Sequence, residues 1–140
     1  MEISTISLEE IEVAANLWEA TGLTRPWNDP ATDIQCALKT ASSTVLAGRI
    51  DNTLIATVMV GYDGHRGWVY YLAVDPNHQG KGLGRSMIEA AEKWLGAKGV
   101  PKVLLLVRRE NAKVLGFYET LGYSLNDVTV MQKTLTKHTQ

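Results

Sequence analysis

Behind Ser7 the apolar residues Ile11, Ala14, Ala15 and Trp18 recur at helical spacing, and Gly22 supplies a stop. Ser7-Leu8-Glu9-Glu10 forms a capping box in front of them, with Ser7 as the N-cap and Glu10 able to reach back to its N–H. Asp29-Pro30 opens a second helix, an acid at the cap followed by proline at the first helical position. Thr44 to Ile50 and Thr53 to Val60 are β-branched and apolar around Asp51-Asn52, which predicts a hairpin. A three-glycine loop, residues 61–67, leads to a strand from Trp68 to Val74. Next comes a glycine cluster and a helix with Leu83, Met87, Ile88, Ala91 and Leu95 on one face, ending near Gly96 or Gly99. Val103 to Val107 is a continuous apolar run, as expected of a central strand buried on both faces. Asn111 caps a helix through Val114, Leu115, Tyr118 and Leu121, closed by Gly122. From Tyr123 the pattern predicts strand again, with Val128 and Val130 alternating and Leu135 near the end. The order is a weak first strand, two helices, three strands, helix, strand, helix and two strands. No repeat or linker interrupts it, so a single α/β domain over residues 1–140 is predicted.

Charge sharpens this picture. The formal total is −1, which argues against a general nucleic-acid or membrane-surface binder, whose affinity would rest on released counterions. The distribution is uneven: residues 1–35 carry seven acids against Arg25, whereas residues 76–115 carry eight bases against three acids. An anionic ligand at one place and a cationic one at another would suit that division. A chain of 140 residues buries roughly 68–70% of its unfolded surface, enough for its own core. No apolar run approaches the ~20 residues of a membrane span, and Met1-Glu2-Ile3-Ser4 does not begin a signal peptide. The one cysteine, Cys36, excludes an intrachain disulfide and fits a reducing, cytoplasmic setting. Near Ile34, Ala37 and Leu38 it reads as a buried small apolar residue. His65, His78 and His138 are too far apart for zinc-ligand spacing, so no metal is expected.

The segment Gln79-Gly80-Lys81-Gly82-Leu83-Gly84-Arg85 lies between a strand and an amphipathic helix. Glycines at alternate positions let the backbone turn tightly and a ligand approach with no Cβ in the way. The N–H groups of such a helix start lack intrahelical partners, and the dipole adds a positive end, so the site suits a pyrophosphate. Lys81 and Arg85 add charge at its edge. The spacing is neither that of a P-loop nor that of a dinucleotide fingerprint, because Arg85 stands where the third glycine of the latter would be. On this segment alone a flexible turn with solvated charges is an equal reading.

From Val74 to Gly84 the sequence resembles the acetyl-CoA signature of the GCN5-related N-acetyltransferases (GNAT): Gln79, Gly82 and Gly84 match its Arg/Gln, Gly and Gly/Ala positions. Asn111 through Phe117-Tyr118-Glu119-Thr120-Leu121-Gly122-Tyr123 resembles a second motif of that family, and the element order agrees across nearly the whole chain. Arg25-Pro26-Trp27-Asn28-Asp29-Pro30 and the 61–67 loop are similar to the bacterial YpeA-type acetyltransferases. The resemblance implies a GNAT fold: a mixed, mostly antiparallel sheet flanked by helices, whose two central parallel strands splay apart to admit acetyl-CoA. Those strands would be Trp68–Val74 and Val103–Val107.

The resemblance also implies roles. Main-chain N–H groups of Gly80, Lys81, Gly82, Leu83, Gly84 and Arg85, after Gln79, would hold the pyrophosphate. The main chain of Leu72 and Val74 would pair with the pantetheine amides. Asn111 would hydrogen-bond the pantetheine arm, a role compatible with being an ordinary N-cap. Tyr118 stands where the family's general acid stands, able to give a proton to the departing thiolate. Trp27, Asn28, Tyr62 and Asp63 would border the acceptor, although the first two also suit a plain turn or a core plug. The base is missing: neither splayed strand carries a carboxylate, which leaves a water chain or a loop group such as Asp63, His65 or Glu110. The leading expectation is therefore direct acetyl transfer from acetyl-CoA, as co-substrate, to a primary amine of a small molecule, a protein N-terminus or a lysine. A non-catalytic acyl-CoA sensor on the same fold is the rival, motivated by the missing strand carboxylate. An exposed edge strand near Val128 and Val130 would permit a homodimer.

Overall fold

A computed structural model describes residues 1–136; His138 lies outside them. The chain forms two compact units, residues 1–105 and residues 106 onward.

The first unit is built on a five-stranded sheet in the order β1 (Glu2–Thr5), β2 (Ser43–Ile50), β3 (Thr53–Tyr62), β4 (Gly67–Val74) and β5 (Val103–Leu105). β1 to β4 pair antiparallel, and β4 pairs parallel to β5. The β2–β3 turn follows from its sequence: Asp51 and Asn52 both adopt positive φ (51° and 65°), as a type I′ hairpin requires and as Asp and Asn tolerate.

Three helices cover this sheet: α1 (Ile11–Ala20), α2 (Pro30–Lys39) and α3 (Leu83–Gly96). Ile11, Ala14 and Trp18 of α1 and Ile34 and Ala37 of α2 share one core with Val45, Ala47 and Ala73. Met87 of α3 instead lies against the Gly48 position, where an added Cβ would come within 2.9 Å of its sulfur. Strand side chains alternate between faces, so α1 and α2 cover one face of the sheet and α3 the other. Burial of each large core side chain such as Ile34 or Ile88, both 0% exposed, contributes roughly 1.5–3 kcal/mol.

The Ser7–Glu10 capping box forms, but it opens a 3-10 turn, Leu8–Glu10, ahead of α1. Glu10 has a second task. Arg49 of β2 donates to both its oxygens at 2.7 Å and to Glu2 Oε1 at 3.0 Å, tying the first strand and turn to the sheet. The guanidinium holds the Glu10 carboxyl down at about 2.

Three expectations are corrected. Cys36 is exposed: it stands two residues from Ile34, about half a helical turn round, and Ile34 and Ala37 take the inward face. β5 is three residues long, only half-buried, and lies at the sheet's edge instead of its centre. The final two strands do not form among the described residues, so the edge strand invoked for a homodimer is absent from them. In the second unit α4 (Ala112–Thr120) is the one regular element described. Beyond it Leu125, Val128, Val130, Met131 and Leu135 are 62–91% exposed. Alternation gives a segment one apolar face, but a strand also needs a ladder partner for its backbone, and the unit supplies none among its described residues.

Candidate active site

The β4–β5 ladder is short. Gly67, Trp68 and Val69 pair with Val103, Leu104 and Leu105, and there β5 ends, so β4 from Tyr70 to Val74 is laddered on its β3 side alone. The two expected parallel strands thus part company halfway along β4. On the β3 side the register shifts between Thr57–Ala73 and Met59–Tyr70, so that Tyr71 and Leu72 oppose the single residue Val58. This is a β-bulge, and Tyr71 sits in it at φ +54°. Asp75 N–H donates to Ile55 O of β3 at 2.8 Å. Because strand N–H groups alternate in direction, those of Val74 and Leu72 turn away from β3 toward the unladdered edge. Gln79 Nε2 reaches the same edge and donates to Val74 O at 3.1 Å.

The glycine segment follows at once. Asp75 accepts from Asn77 N–H at 2.9 Å and caps a short 3-10 turn, Pro76–His78. Gly80 and Gly82 then take φ values of +80° and +77°, and Gly82 is the N-cap of α3. An L residue in that conformation is strained by roughly 1–2 kcal/mol, which accounts for the glycines locally. At neither position would a Cβ meet anything within 4 Å, so space lies open in front of the turn. No side chain caps the first turn of α3, and no acid stands in it. Lys81 and Arg85 are exposed beside it. Uncapped N–H groups, a helix dipole and neighbouring cations together favour an anion.

The expected acceptor residues divide. Asn28 is spent on its own turn: its Oδ1 accepts from Arg25 N–H at 2.6 Å. Trp27 plugs no core, being 56% exposed. Tyr62 is half-buried, with its ring 6.1 Å from that of Trp94. Asp63 is saturated. Oδ1 accepts the N–H groups of His65 and Arg66, both at 2.8 Å, and Oδ2 accepts Trp68 Nε1–H at 3.1 Å. These donors hold its carboxyl down at about 2, the wrong direction for a proton acceptor near neutrality.

In the second unit Asn111 is the N-cap of α4, its Oδ1 accepting from Val114 N–H at 3.3 Å. Tyr118 is buried, edge-on to Phe117 and Tyr123 with ring centroids 5.0 and 5.5 Å away. Burial pushes its phenol up to about 12, so it stays protonated through the neutral range.

Another group in the first unit was not legible beforehand. Tyr71 OH donates to Asp33 Oδ2 of α2 at 3.0 Å, and its ring lies flat on Trp18, centroids 3.8 Å apart and 3° between planes. Trp18 Nε1–H donates to Thr57 Oγ1 at 2.8 Å, and that hydroxyl donates to Tyr71 O at 3.1 Å. Burial raises the Asp33 carboxyl above the ordinary aspartate value, against the lowering effect of the Tyr71 hydrogen bond. The one sequence signal was that Asp33 follows the capping Asp29 by a single helical turn.

No cluster of three or more His, Cys, Asp or Glu side chains that could hold a metal occurs among the described residues. Nor is any helix among them long and apolar enough to cross a membrane.

Known proteins were compared with this chain. The family model described as Acetyltransferase (GNAT) family matches residues 11–123. An acetyltransferase of Yersinia pestis (strain Pestoides F) is 41% identical over 135 residues, covering 96% of each chain. Among solved structures, AAC(6′)-Iy in complex with the bisubstrate analogue CoA-S-monomethyl-acetylneamine superposes with a TM-score of 0.81 at 14% identity, over 96% of this chain and 98% of that one. A ribosomal-protein-alanine N-acetyltransferase of Brucella melitensis biovar Abortus 2308 does so with a TM-score of 0.75 at 19% identity, over 95% and 98%. These structural likenesses speak to the fold. Family membership rests on the match that runs from the start of α1 past the end of α4, and on the Yersinia relative: this chain belongs to the GNAT family of acetyltransferases.

Proposed function

We propose that this acetyltransferase moves the acetyl group of acetyl-CoA directly onto a primary amine, with no covalent enzyme intermediate. The observation that carries the reading is the pair of positive-φ glycines, Gly80 and Gly82, opening an uncapped helix beside the unladdered edge of β4. In it, the N–H groups from Gly80 to Arg85 bind the pyrophosphate, with Lys81 and Arg85 adding charge. Leu72 and Val74 offer main-chain groups to the pantetheine amides, as an added strand would use them. Gln79 fixes the join between strand and turn through Val74 O. Asn111 takes the pantetheine arm, and Tyr118 protonates the sulfur as the thiolate leaves. The raised Tyr118 phenol supports the last role, because an acid must still hold its proton at working pH. Trp27, Asn28, Tyr62 and Asp63 border the acceptor, a small molecule or a protein N-terminus or lysine. The family match spans both compact units, which supports treating them as one catalytic domain, working in the cytoplasm.

The test adds acetyl-CoA with and without a panel of amines, following the unfolding midpoint and free thiol together. A ligand at 100 times its Kd stabilises by about 2.7 kcal/mol, so the midpoint should rise, and thiol should appear with an accepted amine. No rise at saturating acetyl-CoA sinks the reading. A rise without thiol on any amine favours an acyl-CoA-binding module on the same fold. Tyr118→Phe should retain the rise and lower kcat by roughly 10²-fold or more; an unchanged kcat with chemistry rate-limiting removes Tyr118 from its role.

A further inference from the structure

The acceptor amine reaches neutral solution as an ammonium, with a pKa near ~10, and must lose a proton before it can attack a thioester. β4 and β5 carry no carboxylate, and the three donors on Asp63 lower its affinity for a proton. Asp33 differs on each count that matters. One of its oxygens holds Tyr71 OH at 3.0 Å, while the other makes no hydrogen bond among the described residues. Its side chain is half-buried.

Its partner is unusual too. Tyr71 is a bulky residue at φ +54°, a conformation costing roughly 1–3 kcal/mol, which persists only where the surroundings over-determine it. Here they do. Trp18 and Thr57, both 0% exposed, clamp the ring by stacking and the carbonyl by a hydrogen bond. The strained residue thus presents its phenol to Asp33, while its neighbour Leu72 turns an N–H to the open edge of β4. One bulge joins a carboxylate on the α1–α2 face to the strand edge assigned to the thioester arm.

We propose that Asp33, fixed by Tyr71, receives the acceptor's ammonium and takes its proton. The inference rests on the acetyl-transfer reading above. In the step, an N–H bond of the ammonium breaks and an O–H bond forms at Asp33 Oδ1, directly or through one water. The freed lone pair attacks the acetyl carbon, and the C–S bond breaks as CoA leaves with the sulfur's electron pair. The nitrogen gives up its second proton to solvent as the amide forms, and the carboxyl returns its own proton to solvent. The partly buried negative charge also selects a cationic acceptor over a neutral one. That choice agrees with the acidic balance of residues 1–35, in which Asp33 lies.

Asp33→Asn keeps the shape and accepts from Tyr71 while removing the base. With saturating acetyl-CoA and the best amine of the panel, kcat/KM for the amine should fall by about 10²–10⁴-fold at pH 7. The deficit should shrink as pH approaches the amine's own pKa, because free amine then needs no base. Tyr71→Phe, which leaves the carboxylate, should cost less and move the acidic limb of the profile upward, since the bond it removes lowers the Asp33 pKa. The other charged group acting on Asp33 is Asp29 at the α2 cap; Trp18 of α1 and Thr57 of β3 add no charge. Both variants should keep the acetyl-CoA midpoint rise. A rise retained with an Asp33→Asn profile overlaying that of the parent from pH 6 to 10 overturns the inference and leaves the acetyl-CoA reading standing. No rise and no thiol release in the parent removes that reading and the Asp33 role with it.

Discussion

The 61–67 loop and the first turns of α2 each present an aspartate, and the two have opposite surroundings. Asp63 is an exposed carboxylate gripped by two backbone N–H groups and an indole, so its proton is lost even in acid. Asp33 is half-buried, has one donor, and keeps its proton more readily than an ordinary aspartate. Donors stabilise the charged form and burial penalises it, so equal side chains diverge according to which effect prevails. A carboxylate gripped by three donors organises a loop; one with an oxygen outside any hydrogen bond can take a further partner.

Exchanging each aspartate for asparagine is the strongest way to break this comparison. Asp33→Asn should lose about 10²–10⁴-fold in kcat/KM for the amine at pH 7, whereas Asp63→Asn should change kcat far less, as steady-state kinetics would reveal. Equal losses would erase the contrast. Next in size is the glycine turn assigned to acetyl-CoA. Gly82→Val forces a branched side chain to φ +77° and should weaken acetyl-CoA binding by roughly tenfold or more, readable by calorimetry.

Stability should move the other way from activity. A carboxyl whose folded pKa is raised opposes folding once ionised, so Asp33→Asn should leave the unfolding midpoint unchanged or slightly higher at pH 7. Asp63→Asn should lower it, because the amide is a poorer acceptor for the three donors. The smallest effect concerns acid. Asp63 and Glu10 have depressed folded values of about 2, so their contributions are complete above their unfolded values and lost as pH falls through the range from about 4 to about 2. Denaturant melts of the parent and of Arg49→Met across that window should converge as the Glu10 contribution disappears.

Local signals served the sequence reading well. The hairpin at Asp51-Asn52, the caps at Asp29 and Asn111 and the glycine turn before α3 are all written in residues within a few positions of one another. Backbone conformation and capping are settled over that range. Elements that depend on distant partners were misjudged. Alternation at Val128 and Val130 predicted a strand where none forms, and the apolar run at Val103 predicted a central strand where a short edge strand stands. The acceptor side shows the same limit: the donors that bind Asp63 into its own loop and the Tyr71–Asp33 hydrogen bond emerge only in the fold.

The sequence by itself determined the family, the order of elements up to α4 and the anion-ready turn, because motifs, caps and glycine torsions are properties of contiguous residues. Tertiary structure alone decided how each carboxylate is engaged. Asp33 meets Tyr71 across 38 residues, and Trp18 meets Thr57 across 39. A proton affinity is set by the groups and the solvent that folding brings around it, and that environment is not written next to the residue in the chain.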